Sequence, residues 1–573
     1  MKENKYTHQV EQRREAEQLT PYEQELIKKV EKDRDYKQSL YIPIKPNSVD
    51  LSIEDLIAHL QENGIGDAKL YNRLYRGEIV YVKYWERFLV WNGHHWREDD
   101  WNEAYQAIES VCEKYLAAAQ MKEIEADGIS KEENPDLKKK VKSLADKGFR
   151  RVDRLRSKNG QDDLLTMTRR THNPLLILPS YIDVQYYLLP CPNGVVDLRT
   201  GELHDGRPED YLLNACLTEY DPELLKLEDP CPETNAFLLR SMNGNQRLVD
   251  FIWRILGYGL IRDRKDHVFI IFWGEHGRNG KDTLIKLVTH VLGLALSGDV
   301  QVEMFLQQQS KSSSSPTPDV LALRGMSIAW INEAEDGQKF ALAKLKKLTG
   351  GGFITARGLM DKQQTTWLQT HLPIMTTNEL PKAKAEDAAF WQRAHIVKWE
   401  LSFVDDPKEP FERQADKYLD AKIQAEAKGV LARMVQGAKE YLLYGLNVPE
   451  EVKNWTREQR DSFDDLGQFI EECCLIEDHQ DNSAAYSLKV PGNDLHEAFC
   501  IWYAANKDSR YSISAKAFAI MLNKKNIDMT RSNGTWRLGI SLKPEWKDRV
   551  EEKRREEEAK KEKNLSKTVR NKK

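Results

Sequence analysis

The sequence predicts a chain of the α/β class. The prediction rests on three apolar runs and on the glycine-rich or polar residues that follow each of them. Val268 to Trp273 leads into a glycine-rich turn, and a helix with apolar residues at helical spacing follows that turn. Met326 to Ile331 and Leu372 to Thr377 come later, and polar residues follow each of them. Strands that alternate with helices favour a parallel sheet. An α+β region is predicted before this core, and a mostly helical, winged-helix-like region after it.

Composition permits folded cores and limits the kind of partner. The chain has 573 residues, of which 40% are hydrophobic and 31% charged, with a net charge of −5. This charge argues against a uniformly basic surface, so any DNA contact must come from local basic patches. The seven cysteines contain no CxxC pair, and no apolar run reaches about 18 residues. We therefore expect a reduced, cytoplasmic chain without a membrane partner.

The N-terminal half divides into two predicted segments. Residues 1–75 are rich in Lys, Glu, Arg and Gln, which is typical of a charged helical extension. A polymerase-type domain needs a larger folded unit, so we expect no primase activity. Residues 76–245 are predicted to form an α+β domain, with a hairpin turn at Asn92-Gly93 and two glycine turns between Asn193 and Gly201. The basic cluster at residues 150–156 is typical of a solvated face, with DNA contact as the alternative.

The turn after Trp273 has the composition of a phosphate-binding loop. Glycine is needed where backbone N–H groups approach phosphate oxygens without a Cβ in the way. A lysine adds a positive charge at a helix N-terminus, which itself favours anions. We therefore predict that ATP binds here and expect these nucleotide-binding residues: Gly274, Gly277, Arg278, Asn279, Gly280, Lys281, Asp282 and Thr283.

Two positions in this loop depart from the usual pattern. The position of the first glycine holds Glu275, and Gly274 lies one residue too far from the lysine. The position of the Ser or Thr that binds Mg²⁺ holds Asp282, and Thr283 follows it. Either side chain can bind a hard cation through oxygen, and the sequence leaves both open.

Polar residues follow the second and third strands. Glu333 and Glu335 come directly after the second strand, where a parallel sheet places its nucleotide site. One carboxylate is expected to hold Mg²⁺, and the other to orient and deprotonate the attacking water. Asn378 ends the third strand and can read the γ-phosphate. Arg393 lies beyond it and can stabilise transition-state charge in a neighbouring subunit. We predict all four as catalytic.

A basic segment lies between the second and third strands. It contains two lysines, a triple-glycine turn at residues 350–352 and a short β-run. A loop of this kind can project Lys and Arg toward a phosphate backbone. The predicted DNA-binding residues are Lys346, Lys347, Arg357 and Lys362.

The C-terminal part is predicted to be helical, with a hairpin near its end. An amphipathic helix spans Gln424 to Leu446, and two further apolar-striped helices precede a turn at Asn533-Gly534. Helix, helix and hairpin favour a winged helix over residues 421–545, and protein docking is the alternative. A charged tail covers residues 546–573. The side chains expected to contact DNA phosphates are Lys516, Lys524, Lys525, Arg531 and Arg537.

The order of these motifs resembles superfamily 3 helicases, and more narrowly the helicase half of phage, plasmid and poxvirus primase-helicases. The resemblance extends from about Tyr81 to Leu542, and Gly352 departs from it because the family often has Asp there. The residues that carry it are Arg278 to Lys281, Asn332 to Glu335, Lys346 through Arg357, Thr376 to Asn378, and Asp387 through Arg393.

The resemblance implies an AAA+-like P-loop ATPase at residues 246–420. It implies a homo-oligomeric, hexameric ring that moves 3′-to-5′ on single-stranded DNA at the replication forks of a phage, plasmid or other mobile element. A separate primase or host replication proteins are further expected partners. ATP and Mg²⁺ would lie between subunits. Lys281 would bind phosphates, Asn378 would act as a sensor and Arg393 as a trans finger, and the metal ligands would be Asp282, Thr283 and Glu333.

Two other functions remain open from the sequence. One is an origin-binding initiator or DNA-remodelling ATPase that unwinds little DNA, with the C-terminal region recognising a DNA site. The other is a P-loop ATPase that acts on protein. Stimulation of ATP hydrolysis by DNA, and strand displacement, separate the three.

Overall fold

The computed structural model describes residues 44–570, apart from 133, 308–316, 333–337, 359–363, 386, 478–485, 507–512, 526 and 532–533. Side chains are described as far as residue 560, without that of residue 524. Among these described residues, no helix is long and apolar enough to cross a membrane.

The first region combines a small sheet with a group of helices. The predicted hairpin at Asn92-Gly93 is confirmed, because β2 and β3 pair antiparallel on either side of it and Gly93 has φ +80°. A short later strand, β4, extends this sheet by pairing parallel with β1. The elements are α1 (Ile53–Gln61), α2 (Gly64–Tyr75), β1 (Ile79–Val82), β2 (Arg87–Trp91), β3 (Trp96–Glu98), α3 (Glu103–Gln106), α4 (Ile108–Gly128), α5 (Pro135–Leu155), α6 (Lys158–Thr168) and β4 (Leu176–Ile177).

Residues 53–75 belong to this region rather than to a separate charged extension. Leu56, Leu60, Leu70 and Leu74 are buried together with apolar residues of α4 and α6. Their helical spacing gives α1 and α2 an apolar face that must pack against something. The predicted boundary at residue 75 therefore falls inside one hydrophobic core.

Three of the four arginines in the basic cluster at residues 150–156 are paired with carboxylates. Arg151 is buried and its Nη1 lies 2.6 Å from Oδ2 of Asp67. Arg154 pairs with Asp163, and Arg156 pairs with Glu109. Arg151 therefore has a structural role, whereas Arg154 and Arg156 form exposed ion pairs of a solvated face.

The next segment carries a second small sheet and two helices. The strands β5, β6 and β7 form an antiparallel meander, with the predicted turn at Asn193-Gly194. Their buried residues join the core of the central sheet, so the predicted boundary at residue 245 does not separate two cores. The elements are β5 (Leu188–Cys191), β6 (Gly194–Asp197), β7 (Glu202–His204), α7 (Pro232–Ser241) and α8 (Gln246–Leu260).

A five-stranded, all-parallel sheet forms the centre of the molecule, with strand order β14-β8-β13-β10-β9. The three strands predicted from apolar runs are confirmed as β8, β10 and β13. The elements are β8 (Phe269–Trp273), α9 (Lys281–Leu292), β9 (Ser297–Val300), α10 (Pro318–Leu321), β10 (Ile328–Asn332), α11 (Leu342–Leu348), β11 (Phe353–Ala356), β12 (Thr365–Leu368), β13 (Leu372–Thr377), α12 (Ala388–Trp391) and β14 (Ala394–Lys398).

Both faces of this sheet are buried, which explains why its strands are continuously apolar. In β8, Ile270 and Phe272 point into the core that contains α8 and α9, whereas Phe269 and Ile271 point into the core that contains α11 and α12. Successive side chains of a strand point to opposite faces, so a strand covered on both sides needs apolar residues at every position.

Two long helices cross closely on the first of these faces. The two helices are α8 and α14 (Ala427–Tyr444). Between the sheet and α14 lie β15 (Ser402–Val404), β16 (Glu412–Gln414) and α13 (Leu419–Ala425), and α15 (Glu450–Ser462) follows α14. A Cβ on Gly257 of α8 would lie 2.1 Å from the backbone nitrogen of Ala438 in α14. The predicted helix after Gln424 is confirmed, although a break at Glu426 divides it into α13 and α14.

The C-terminal region has the predicted order of helix, helix and hairpin around its own core. The predicted turn residue Asn533 lies outside the described residues. The elements are α16 (Asp465–Cys473), β17 (Cys474–Ile476), β18 (Lys489–Pro491), α17 (Gly492–Asn506), α18 (Ala515–Lys524), β19 (Met529–Arg531), β20 (Thr535–Leu538), β21 (Ile540–Leu542) and α19 (Pro544–Arg570).

The prediction that Arg537 contacts DNA is wrong, and Lys525, which was also predicted to contact DNA, forms an ion pair within the protein. Arg537 is 1% exposed and donates to the side-chain oxygen of Asn523 and to two backbone carbonyls. A guanidinium buried in this way holds the hairpin to α18 and cannot reach DNA. Lys525 forms an ion pair with Asp464. Lys516 and Arg531 are exposed, and the side chain of Lys524 is outside the described part of the chain.

Candidate functional site

The glycine-rich turn lies at the carboxyl end of β8 and leads directly into α9. Gly280 has φ +94° and is the N-cap of that helix. A Cβ on this residue would lie 2.9 Å from Cε2 of Phe237 in α7. Because both the backbone angle and the close neighbour exclude a side chain, only glycine fits here.

Asn279 holds the turn in place instead of presenting its side chain to a ligand. It is 3% exposed, and its Nδ2 donates to the carbonyl oxygens of Trp399 (2.9 Å) and Leu401 (3.0 Å). Both amide hydrogens are therefore used. Gly274 makes room for this side chain, since a Cβ on it would lie 2.8 Å from Cγ of Asn279. The predicted nucleotide contacts of these two residues are limited to their backbone groups.

Two further hydrogen bonds tie the turn to β15. Oγ of Ser402 donates to the carbonyl oxygen of Gly277 at 2.8 Å. The backbone N–H of Phe403 donates to the carbonyl oxygen of Arg278 at 2.9 Å. The turn is thus anchored along its length to the chain that follows β14.

Lys281 and Asn378, predicted as phosphate ligand and sensor, are in direct contact. Nζ of Lys281 donates to Oδ1 of Asn378 at 2.8 Å and to the carbonyl oxygen of Thr377 at 3.1 Å. Lys281 is 7% exposed. The contact arises because β8 and β13 are neighbours in a parallel sheet, so their carboxyl ends meet at one edge.

A cavity of about 730 Å³ opens at this edge. Residues 277–283 and 376–378 line one side of it, which includes most of the predicted nucleotide-binding residues. Gly274 does not line it. The opposite side comes from α7, β15 and α13, which the sequence analysis did not connect with the site. The residues that line the cavity on this side include Ala236, Phe237, Arg240, Phe403, Ala415 and Leu419.

A row of hydrogen bonds joins the ends of three adjacent strands. Oγ1 of Thr376 and Oδ1 of Asn332 lie 3.0 Å apart, and Nδ2 of Asn332 donates to Oδ1 of Asp299 at 3.1 Å. Asp299 was missed by sequence reasoning because β9 has no apolar run to mark its end. The predicted catalytic residues Glu333 and Glu335 follow this row directly but lie outside the described residues.

The two candidate Mg²⁺ ligands in the turn both line the cavity. Asp282 is exposed and Thr283 is half-buried, and both lie in the first turn of α9. Their oxygens suit a hard cation that shares its remaining ligands with phosphate and water. Within the part of the chain that is described, no group of three His, Cys, Asp or Glu side chains could hold a metal ion unaided.

Arg393 lies at the opposite edge of the sheet from Lys281. Its carbonyl oxygen accepts from the N–H of Phe269, the first residue of β8, whereas Lys281 follows the last residues of that strand. Its Nη1 donates to the carbonyl oxygen of Ala389 at 2.5 Å. The arginine therefore does not belong to the cavity of its own chain.

Lys346, which was predicted to bind DNA, is engaged in an ion pair within the protein. Its Nζ lies 2.7 Å from Oδ2 of Asp387, the N-cap of α12. Burial works to raise the pKa of Asp387, but the hydrogen bonds from Lys346 and from the N–H of Phe390 hold that pKa below its ordinary value. Of the other predicted DNA-binding residues, Lys347 is exposed, Arg357 is half-buried, and Lys362 lies outside the described residues.

The triple-glycine turn packs against the protein. Gly351 has φ +66°, and a Cβ on it would lie 2.6 Å from the carbonyl oxygen of Arg264. Its N–H donates to Oε1 of Gln369 at 2.9 Å. Gly351 is needed for this close approach, which fixes the start of the hairpin of β11 and β12 against the protein.

The family model described as D5 N terminal like matches residues 68–242. "Putative helicase L207/L206" of Acanthamoeba polyphaga mimivirus is 25% identical over 337 residues, which is 57% of this chain and 34% of that protein. "Putative helicase 121R" of Invertebrate iridescent virus 3 is 24% identical over 343 residues, 56% of this chain and 35% of that protein.

A third relative, "Putative primase C962R" of African swine fever virus, is 23% identical over 349 residues, 57% of this chain and 34% of that protein. The matches thus span about a third of the length of these relatives. Among solved structures, the apo C-terminal region of NrS-1 has a TM-score of 0.33 at 12% identity and covers 60% of this chain and 88% of that one. A TM-score of this size does not establish a shared fold.

These matches bear on one expectation and on the family that the chain resembles. Because a relative carries the name primase, the expectation that the chain lacks primase activity has no support. The helicase and primase names both occur among proteins of large DNA viruses that match 56–57% of this chain. The chain carries a D5 N-terminal-like domain at residues 68–242, and its similarity to these viral proteins fits the primase-helicase family.

Proposed function

We propose that the chain is an ATP-dependent DNA helicase for the replication of a phage, plasmid or other mobile element. The observation that carries the proposal is the position of Lys281, with its Nζ 2.8 Å from Oδ1 of Asn378 beside the cavity at the sheet edge. A buried ammonium at a helix N-terminus, next to a polar strand end, is a suitable site for a triphosphate.

The residues of the turn would divide the work of nucleotide binding. Lys281 would hold the outer phosphates, and Asn378 would orient the γ-phosphate and the attacking water. Asp282 or Thr283, with Glu333, would hold Mg²⁺, which neutralises phosphate charge when bound. Glu335 would accept a proton from the water.

We further propose that the chain works as a hexameric ring on single-stranded DNA, moving 3′-to-5′. Support comes from the place of Arg393 at the far edge of the sheet, where it could meet only the nucleotide of another subunit. Lys347, Arg357 and Lys362 would contact the DNA backbone. Lys346 would act through its ion pair with Asp387, which joins α11 to α12.

The test is ATP hydrolysis and strand displacement by the full chain, with duplexes that carry a 3′ or a 5′ single-stranded tail. Wild-type protein should hydrolyse ATP faster with single-stranded DNA and should displace strands from the 3′-tailed duplex. Lys281→Ala should lower both activities by about 100-fold or more, because it removes a charge that stabilises the transition state.

Lys453→Ala is the matched control, because this lysine lies on the surface in an ion pair with Glu450. Full ATPase activity in Lys281→Ala would contradict the proposal. DNA-stimulated hydrolysis without strand displacement would favour the remodelling initiator instead. Hydrolysis that DNA never stimulates would favour an ATPase that acts on protein.

A further inference from the structure

We propose that the side of the cavity away from Lys281 binds the base of the nucleotide, with Phe403 and Leu419 as the contact surface and Arg240 at its edge. This inference rests on the proposed function, because it assigns the second half of the same ligand. It names residues that no motif in the sequence indicates.

Phe403 lies within reach of anything bound to the glycine-rich turn. Its N–H donates to the carbonyl oxygen of Arg278, and the neighbouring Ser402 donates to Gly277. The aromatic residue is therefore fixed to the turn through backbone hydrogen bonds. A group that is covalently linked to phosphates on this turn has to extend past Phe403 or away from the protein.

The two sides of the cavity differ in chemistry. The side near Lys281 carries the lysine and the N-terminus of α9, both of which favour anions. The side near Phe403 presents apolar atoms of Ala236, Ala415 and Leu419. A ligand that fills both sides must be anionic at one end and flat or apolar at the other, as a nucleotide is.

The charges at the far side exclude a second phosphate group. The carboxylates of Glu233 and Asp420 line the cavity there, together with that of Asp416, which pairs with Lys422. Arg240, the cation on that side, donates through Nη2 to the carbonyl oxygen of Gln414 at 2.9 Å and lies 5.6 Å from the ring centroid of Phe403. Net negative charge repels phosphate but tolerates a neutral base, which can lie against the aromatic ring.

The experiment compares the binding of ATP with that of inorganic tripolyphosphate, using the full chain and isothermal titration. Wild-type protein should bind ATP more tightly, because only ATP has a base. Stacking on an aromatic side chain corresponds to about 5- to 100-fold in affinity. Phe403→Ala should weaken ATP binding by that factor and leave tripolyphosphate binding unchanged, since the backbone N–H of residue 403 is retained.

Two more variants keep the test independent of folding. Ala236→Phe changes a residue exposed to the cavity and should fill its apolar side, so that ATP binding falls while tripolyphosphate binding is preserved. Phe411→Ala is the matched control. Its ring stacks on His276 at 3.8 Å and does not line the cavity, so the preference for ATP should persist.

The outcomes separate this inference from the proposed function. Equal affinity of wild-type protein for ATP and tripolyphosphate would overturn the inference, as would Phe403→Ala or Ala236→Phe protein that keeps the full preference for ATP. Both results leave ATP binding at Lys281 intact. If wild-type protein binds neither ligand, the proposed function fails, and the inference fails with it.

Discussion

At the scale of single residues, Asn279 shows how one side chain can set the shape of a site without touching the ligand. Its two amide hydrogens reach two carbonyl oxygens that lie 120 and 122 residues later in the chain. The adjacent Gly280 has the backbone angle that lets α9 begin directly after it. The turn is therefore shaped before any phosphate binds, which lowers the entropic cost of binding.

We expect Asn279→Ala to lower both stability and nucleotide affinity. It leaves two buried carbonyl oxygens without their donor, which costs about 1–3 kcal/mol. Asn279→Asp should be worse, because a carboxylate would face the same two carbonyl oxygens. Thermal unfolding and ATP titration measure the two effects.

Asn47→Ala is the control for this pair of variants. Asn47 also donates its amide to a backbone carbonyl, that of Arg76, but it does so at the surface. Its replacement should change the unfolding temperature little. Wild-type affinity for ATP in Asn279→Ala would show that the turn does not need this anchor.

At the scale of secondary-structure elements, Arg264 joins the end of α8 to the amino edge of the central sheet. It is 6% exposed and donates to four carbonyl oxygens. These belong to Tyr258, Gly259, Ser327 and Thr370, with distances from 2.7 to 3.0 Å. Burial holds the pKa of this guanidinium below its ordinary value, although the neighbouring hydroxyl of Tyr258 opposes that shift.

We expect Arg264→Met to destabilise the protein by about 3–5 kcal/mol, because several buried carbonyl oxygens lose their hydrogen-bond donor at once. Arg264→Lys should recover part of the loss, since an ammonium has three donors. Urea unfolding provides the measurement. Arg87→Met is the control, as Arg87 pairs with Glu98 at the surface and such pairs contribute at most about 1 kcal/mol. Equal losses in Arg264→Met and Arg87→Met would contradict this role.

At the scale of the whole molecule, three histidines link stability to pH, of which His95 and His371 are buried and His395 is half-buried. Burial lowers the pKa of His95 and His371 to about 3 and that of His395 to about 4. His95 lies in the N-terminal region, whereas His371 and His395 lie in or beside the central sheet. All three stay neutral in the folded chain at pH values where the unfolded chain is protonated.

Stability should therefore decrease as the pH falls below about 6.5, the ordinary value for histidine. The unfolded state then binds protons that the folded state does not, so acid favours unfolding. At pH 5.5 each of these histidines lowers the free energy of unfolding by about 1.4 kcal/mol relative to its value at neutral pH. Urea unfolding at pH 7.5 and 5.5 measures the difference.

The variant His371→Leu measures how much His371 contributes to the loss of stability at low pH. The variant has no imidazole to protonate at that position, so its loss of stability between the two pH values should be smaller than that of wild-type protein by about 1.4 kcal/mol. An identical pH dependence in both proteins would show that His371 is not neutral in the folded state.

The sequence alone determined three of the five strands of the central sheet, and it placed Lys281 and Asn378 after two of them at one nucleotide site. Apolar periodicity reports which side chains are buried, and parallel strands bring their carboxyl ends to one edge. These two rules depend only on local pattern and strand direction. They were enough to predict β8, α9, β10 and β13.

Only the tertiary structure decided which polar side chains are free. Asn279, Lys346 and Arg537 were all predicted to contact a ligand, yet each is engaged by another part of the protein. The tertiary structure also decided that Phe403 lines the cavity, although it lies more than 100 residues after the turn in the sequence. The physical reason is that a polar side chain bonds to whatever the fold brings near it, and no local pattern encodes such a distant partner.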